Sequence, residues 1–291
     1  MHIDLHLGVH KTATTHLQRH WLACSQLPGA TAVCPPLAEV RTQLTPVCSA
    51  PTVKSKTQGE DARRLSAARA WVLRLAAAGR PLLLSDENLV GSCERLFATQ
   101  ALYTSVLQRL QRLAPVLEGR TLRVWLSVRE YGAFLRSAYC ETLRHGPYRP
   151  FREAYSGFDL AGRGWEHVVR DIRQALPQAE LCCWRYESMP GLRTGLTASL
   201  VGLAPAAQPA PDEQRDRRSL SRLAVRLLDD IHQRVGADEA TRVRPSVERV
   251  VAGAGMPAFD PWTDTERAEL SAAYDRSIAA LQALPGVTWL G

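Results

Sequence analysis

The chain of 291 residues has no apolar run approaching the ~18 residues that a membrane span needs. It opens without a basic stretch followed by an apolar core, so no secretory leader is expected. Its seven cysteines are odd in number and scattered, without the CxxC or Cys/His spacing of a metal site. Cys182 and Cys183 are adjacent in an apparent strand and poorly placed to pair with each other. These absences predict reduced, buried thiols, a cytoplasmic setting and no metal. The formal net charge is +7, yet no run of lysines and no nucleic-acid-binding motif accompanies it. The excess is mainly arginine spread along the chain. Nucleic acid is therefore not an expected partner, and a polyanionic small ligand is the simplest expectation. Internal repeats are absent too.

A Walker A loop is also missing. That motif needs glycine, four residues, then Gly-Lys-Ser/Thr. Here Gly8 stands too close to Lys11, and no glycine precedes the lysine. No evident Mg²⁺-binding carboxylate pair follows a strand. Both absences count against an ATPase, a GTPase or a kinase-like phosphotransferase.

What is present begins at residue 1. Ile3, Leu5 and Leu7 alternate with polar residues at strand spacing, and Gly8 ends the strand. Ala13, Leu17, Trp21 and Cys24 then recur at helical spacing, which predicts a helix from Lys11 or Thr12. Strand, tight loop and helix form a cradle whose free N–H groups and positive dipole end favour an anion. Lys11 adds a charge, and Thr12, Thr14 and Thr15 add hydroxyls.

Further along, 29–36 is a short strand candidate stopped by Pro35 and Pro36, and 41–60 is a long polar loop. Asp61 to Ala78 is predicted helical. Residues 81–85 are a buried strand ending in Ser85-Asp86-Glu87-Asn88, with Asp86 expected at the surface or in a cap. Helical pattern fills 94–113, strand 121–128 and helix 131–144. A loop at 146–162 is followed by helix 164–176 and strand 179–185. A linker at 202–212 precedes helix 218–231, and Thr263-x-x-Glu266 is a capping box opening a last helix. Alternation of strands and helices predicts a parallel sheet covered on both faces. Ligands in such sheets sit at the carboxyl ends of the strands, where the stretches 8–15, 85–88 and 129–137 all fall.

Two of these stretches carry a family likeness. The string Gly8-Val9-His10-Lys11-Thr12-Ala13-Thr14-Thr15 resembles the phosphosulfate loop of sulfotransferases that use 3′-phosphoadenosine 5′-phosphosulfate (PAPS), in their bacterial branch. Ala13 stands where that family usually has glycine, a replacement expected to favour helix and leave the loop intact. Arg129 at a strand end, with Ser137 eight residues later, resembles the family's site for the 3′-phosphate. Trp184-Arg185-Tyr186-Glu187 and Arg218-Ser219-Leu220-Ser221 are looser likenesses; Ser219 is expected to cap its helix, and Arg217 and Arg218 either touch cofactor phosphate or are solvated.

The resemblance implies one sulfotransferase-like domain over 1–291, a three-layer, P-loop-like α/β sandwich around a central, mainly parallel sheet flanked by helices. It implies PAPS as cofactor, adenosine 3′,5′-bisphosphate as product, and a hydroxyl or amine of a small molecule or glycan as acceptor. Gly8, His10, Lys11, Thr12, Ala13, Thr14, Thr15, Arg129 and Ser137 would bind the cofactor. Lys11 would neutralise the leaving oxygen. Glu87 is the candidate base, with His10 as the alternative. Otherwise His10 packs under the loop, and Glu87 is a helix-start carboxylate or the ion-pair partner of Lys11 or Arg129. The acceptor pocket is expected in loops 35–60, 145–163 and 202–217, with Tyr148, Phe151, Tyr155 and Phe158. A binding protein that keeps the nucleotide pocket without turnover is the other reading.

Overall fold

The computed structural model describes residues 2–49, 58–210, 220–251 and 256–291. In chain order these form β1 (His2–His6), α1 (Thr14–Ser25), α2 (Leu37–Gln43), α3 (Thr45–Cys48), α4 (Gln58–Ala76), β2 (Leu82–Ser85), α5 (Cys93–Thr99) and α6 (Val106–Leu117). They continue as β3 (Thr121–Val128), α7 (Tyr131–His145), α8 (Phe151–Ala154), α9 (Trp165–Ala175), β4 (Glu180–Arg185), α10 (Met189–Val201), α11 (Arg222–Val235), α12 (Ala237–Val251), α13 (Asp264–Gln282) and β5 (Val287–Leu290). The fold is α/β, with one five-stranded sheet in the order β2-β1-β3-β4-β5. Every pairing is parallel.

Strand alternation sorts side chains between the two faces. Ile3, Leu5, Leu84, Val124, Leu126 and Cys183 join the larger core, which also holds buried residues of α4, α6, α7, α9 and α13. On the other face Leu83, Trp125, Cys182 and Trp184 pack with Leu17, Trp21 and Cys24 of α1 and with Leu196, Leu200 and Val201 of α10. At ~25 cal/mol per Å² of apolar surface, each large buried side chain is worth about 2 kcal/mol. The smaller face also buries Asp4 and His6. Asp4 Oδ1 accepts from Trp125 Nε1 at 2.7 Å. His6 Nδ1 lies 2.7 Å from Ser85 Oγ. The chain runs from β1 to β2 on one side and returns to β3 on the other, so the β1–β3 crevice is the topological switch point, where ligands bind in such sheets.

Several local expectations change. The strand candidate at 29–36 contributes one bridge, Val33 to Leu82. Within the expected loop 41–60, residues 41–48 are helical, in α2 and α3, and α4 starts at Gln58; 50–57 lie outside the described residues. The helical stretch 94–113 is two helices, broken where Gln100 and Tyr103 turn left-handed, at φ 51° and 42°. The loop 146–162 contains α8, and the linker 202–212 holds a 3₁₀ turn at 205–207. α11 starts at Arg222, and Ser221, rather than Ser219, caps it by accepting from Ala224 N–H. Ser219, Arg217 and Arg218 lie outside the described residues. The capping box at Thr263 and Glu266 is present. No helix among the described residues is long and apolar enough to cross a membrane.

Candidate functional site

The loop between β1 and α1 is built mainly from backbone. Helix α1 starts at Thr14, two to three residues later than the sequence predicts. The cause is conformational: Gly8, Lys11 and Ala13 all have positive φ, at 50°, 67° and 59°. Ala13 is thus the left-handed N-cap of α1, not helix, and occupies a conformation that glycine favours. A Cβ at Gly8 would stand 2.7 Å from Thr14 Oγ1 and 3.3 Å from His6 Cε1. No side chain caps α1 and no acid lies in its first turn, so its leading N–H groups and dipole keep their attraction for an anion.

The hydroxyls divide. Thr12 is fully buried and its Oγ–H donates to Val9 C=O at 2.7 Å, bracing the loop from within. Thr14 Oγ1 lies 3.4 Å from the same carbonyl and is buried, whereas Thr15 is half-buried. His10 pins the loop to its surroundings. Its N–H donates to Tyr103 Oη at 3.0 Å, and Nδ1 lies 3.0 Å from that same oxygen. Asn88 Oδ1 can only accept, so Nε2–H donates to it at 3.2 Å, and Nδ1 of the neutral ring accepts from Tyr103 O–H. Burial lowers the His10 pKa, against the attraction of Glu87. With both ring nitrogens engaged, neutral His10 is a cross-brace between the loop and the turn after β2.

Across the switch point, Arg129 follows β3. Its Nη1 donates to Lys11 C=O, and the guanidinium lies 4.6 Å from the Tyr186 ring centroid. Arg129 Nε is buried with no protein partner, and burial lowers the Arg129 pKa. Ser137 is buried on α7, and no hydrogen bond joins it to Arg129. Lys11 Nζ pairs with Glu141 Oε2 of α7 at 3.0 Å.

The turn after β2 is held by side chains. Asp86 is fully buried, not a surface residue. It caps the turn by accepting from Asn88 N–H at 3.0 Å, and it also accepts from Thr45 Oγ–H at 2.6 Å and Arg41 Nε at 3.2 Å. Glu87 Oε1 pairs with Arg41 Nη2 at 2.9 Å, and Oε2 lies 3.4 Å from Gln18 Nε2. Its ion-pair partner is thus neither Lys11 nor Arg129. Arg109 braces the turn from α6 through the carbonyls of Asn88 and Leu89.

Residues 8–15, 85–88 and Arg129 therefore meet at one edge of the sheet. Sequence reasoning passed over Gln18, Arg41, Tyr103 and Glu141. Two of these had a signal: Gln18 follows Thr14, and Glu141 follows Ser137, by four residues on the same helix face. Arg41 and Tyr103 arrive from elements that no local pattern ties to the site. Of the aromatics expected around an acceptor, Tyr148 and Phe151 are buried core residues. Tyr148 O–H donates to Asp229 Oδ1 at 2.6 Å, and Phe151 packs edge-on to Tyr139 and Trp262. Among the described residues no three His, Cys, Asp or Glu side chains gather as a metal site requires.

Comparison with protein-family models, with curated proteins and with solved structures found no match.

Proposed function

We propose that the chain is a sulfotransferase that takes its sulfuryl group from PAPS and delivers it to a hydroxyl or amine of a small molecule or glycan. The observation that carries this reading is the meeting of an uncapped helix start, Lys11 and Arg129 at the β1–β3 switch point. Two separate segments, the loop leading into α1 and the end of β3, supply positive character there, which suits a ligand with anionic groups at two positions. The residues fit PAPS. Gly8 leaves its Cβ space to Thr14 and His6, and Arg129 has a buried Nε–H still to donate. When bound, PAPS supplies a reactive sulfate–phosphate anhydride.

The chain's own part is positioning and charge stabilisation. The loop amides and Thr15 hold the 5′-phosphate, and Lys11 Nζ neutralises the charge that develops at the bridging oxygen. Arg129 binds the 3′-phosphate with its planar fork. Glu87 takes the acceptor's proton. Its Oε1 is committed to Arg41, so Oε2 is the atom offered to the acceptor. Seven free thiols suit a reducing, cytoplasmic setting.

The test is ligand selectivity. A ligand at a hundred times its Kd stabilises the native state by about 2.7 kcal/mol, a shift of several degrees in Tm. Adenosine 3′,5′-bisphosphate should produce it, while AMP and ATP at the same concentration should produce much less. Equal stabilisation by all three removes the two-phosphate reading. Incubation with sulfur-labelled PAPS and an acceptor panel, without Mg²⁺, then separates a sulfotransferase from a silent binder or a kinase.

A further inference from the structure

Glu141 lies on α7 one turn beyond Ser137. Its side chain is 12% exposed, and that of its partner Lys11 is 17% exposed. Among the described residues, two cationic side chains and a histidine lie against this carboxylate. Lys11 Nζ and Arg144 Nη1 each reach Oε2 at 3.0 Å, and His145 Nε2 is 3.4 Å from Oε1. Its position at the tip of Lys11 sets its use.

We propose that Glu141 is a positioning residue: a built-in counter-ion that holds Lys11 and competes for it with the anion in the loop. This rests on the PAPS reading above. Arg144 is on the same helix, three residues on, so Glu141 stays on α7 rather than following Lys11. An anion entering the loop then has to draw Nζ away from Glu141 or share it, in the field of a fixed negative charge. That repulsion weakens the hold on ligand and product alike. The bisphosphate product leaves more readily because Glu141 is ready to take Lys11 back. Loss of the carboxylate charge should therefore tighten product binding and slow its release.

The experiment compares wild type, E141Q and E141D. Gln keeps the shape and an acceptor oxygen but removes the charge. Asp keeps the charge but draws it back from Lys11. Titration calorimetry with adenosine 3′,5′-bisphosphate should give a Kd about tenfold lower for E141Q and about threefold lower for E141D. KM for PAPS and kcat should both fall in E141Q, as when a ground-state conflict is removed. A readout independent of turnover is the acetylation rate of Lys11 in ligand-free protein, followed by mass spectrometry. Loss of the charged partner at 3.0 Å releases Nζ from its ion pair, so Lys11 in E141Q should acetylate several times faster than in wild type. Unchanged or weaker bisphosphate binding in E141Q overturns the proposal. If E141Q does not fold, E141D binding no more tightly than wild type overturns it. If wild type does not bind the bisphosphate, the PAPS reading fails, and an unchanged Lys11 acetylation rate in E141Q overturns the counter-ion role as well.

Discussion

Two neighbouring segments at the carboxyl edge of the sheet are made in opposite ways. The loop after β1 is shaped by backbone conformation, with three positive φ angles among Gly8, Lys11 and Ala13. The turn after β2 is shaped by side chains from afar: Arg41, Thr45 and Arg109 grip Asp86, Glu87 and the carbonyls of Asn88 and Leu89. A backbone cradle presents N–H groups at fixed positions and suits an anion whose shape does not vary. A turn held by long side chains can present a carboxylate to acceptors of varied shape. His10 joins the two through Tyr103 and Asn88.

The largest expected effect breaks the backbone-built side. Gly8→Ala adds a methyl 2.7 Å from Thr14 Oγ1 at a φ of +50°. The left-handed penalty and the overpacking together should cost about 2–4 kcal/mol. Bisphosphate affinity should fall more than tenfold, because the cradle opens. Chemical denaturation and calorimetry check the two parts. Wild-type affinity in a destabilised Gly8→Ala protein would mean that the anion is held elsewhere.

The same contrast accounts for what the sequence disclosed. Strand alternation at Ile3, Leu5 and Leu7, the glycine and the Lys-Thr string are local signals, and they are enough to find the loop. The partners of Glu87 are not local. Arg41 lies in a segment that reads as loop because Pro46, Pro51 and polar residues interrupt any periodicity, yet α2 and α3 form there with Val40, Leu44 and Val47 in the core. α12 has Pro245 in its interior, and α10 opens on Met189-Pro190-Gly191. Breakers of this kind hide a helix that tertiary packing still stabilises. β5 has four residues, none of them fully buried, at the sheet edge, too little for an alternation to stand out. The start of α1 is masked for another reason: alanine is a strong helix former by propensity, while the turn before the helix holds Ala13 left-handed.

A smaller effect tests the side-chain-built turn. Arg41→Ala removes one partner each from Asp86 and Glu87. Asp86 is fully buried, but Arg41 is 40% exposed, so solvent screening reduces the cost well below the 3–5 kcal/mol of a fully buried pair. A loss of about 1–2 kcal/mol is expected, with bisphosphate affinity within threefold of wild type, since the cradle does not depend on Arg41. Turnover should drop more than affinity because Glu87 loses its orientation. Parallel losses of affinity and turnover would make loop and turn one unit and end the contrast.

The smallest effect concerns Ala13. It holds φ 59° and ψ 22° as the N-cap of α1, where an L-residue with a Cβ pays roughly 1–2 kcal/mol relative to the right-handed region. Glycine carries no such penalty but loses about 0.4–1 kcal/mol through the greater freedom of its unfolded chain. The difference favours Ala13→Gly by about 0.5–1 kcal/mol, a rise of one to a few degrees in Tm. Lys11 keeps its own left-handed φ of 67°, and the pinning of His10 by Tyr103 and Asn88 is untouched. Bisphosphate affinity should therefore stay within about twofold. The result distinguishes two origins of the alanine. A stabilised protein with unchanged binding makes the strain incidental to the cradle. A stabilised protein that binds several times more weakly makes it part of the cradle's preorganisation, with the alanine narrowing the loop to the shape the anion needs. Destabilisation by glycine would contradict the left-handed geometry itself, because at a right-handed or extended position glycine gains no steric relief to offset the greater freedom of its unfolded chain.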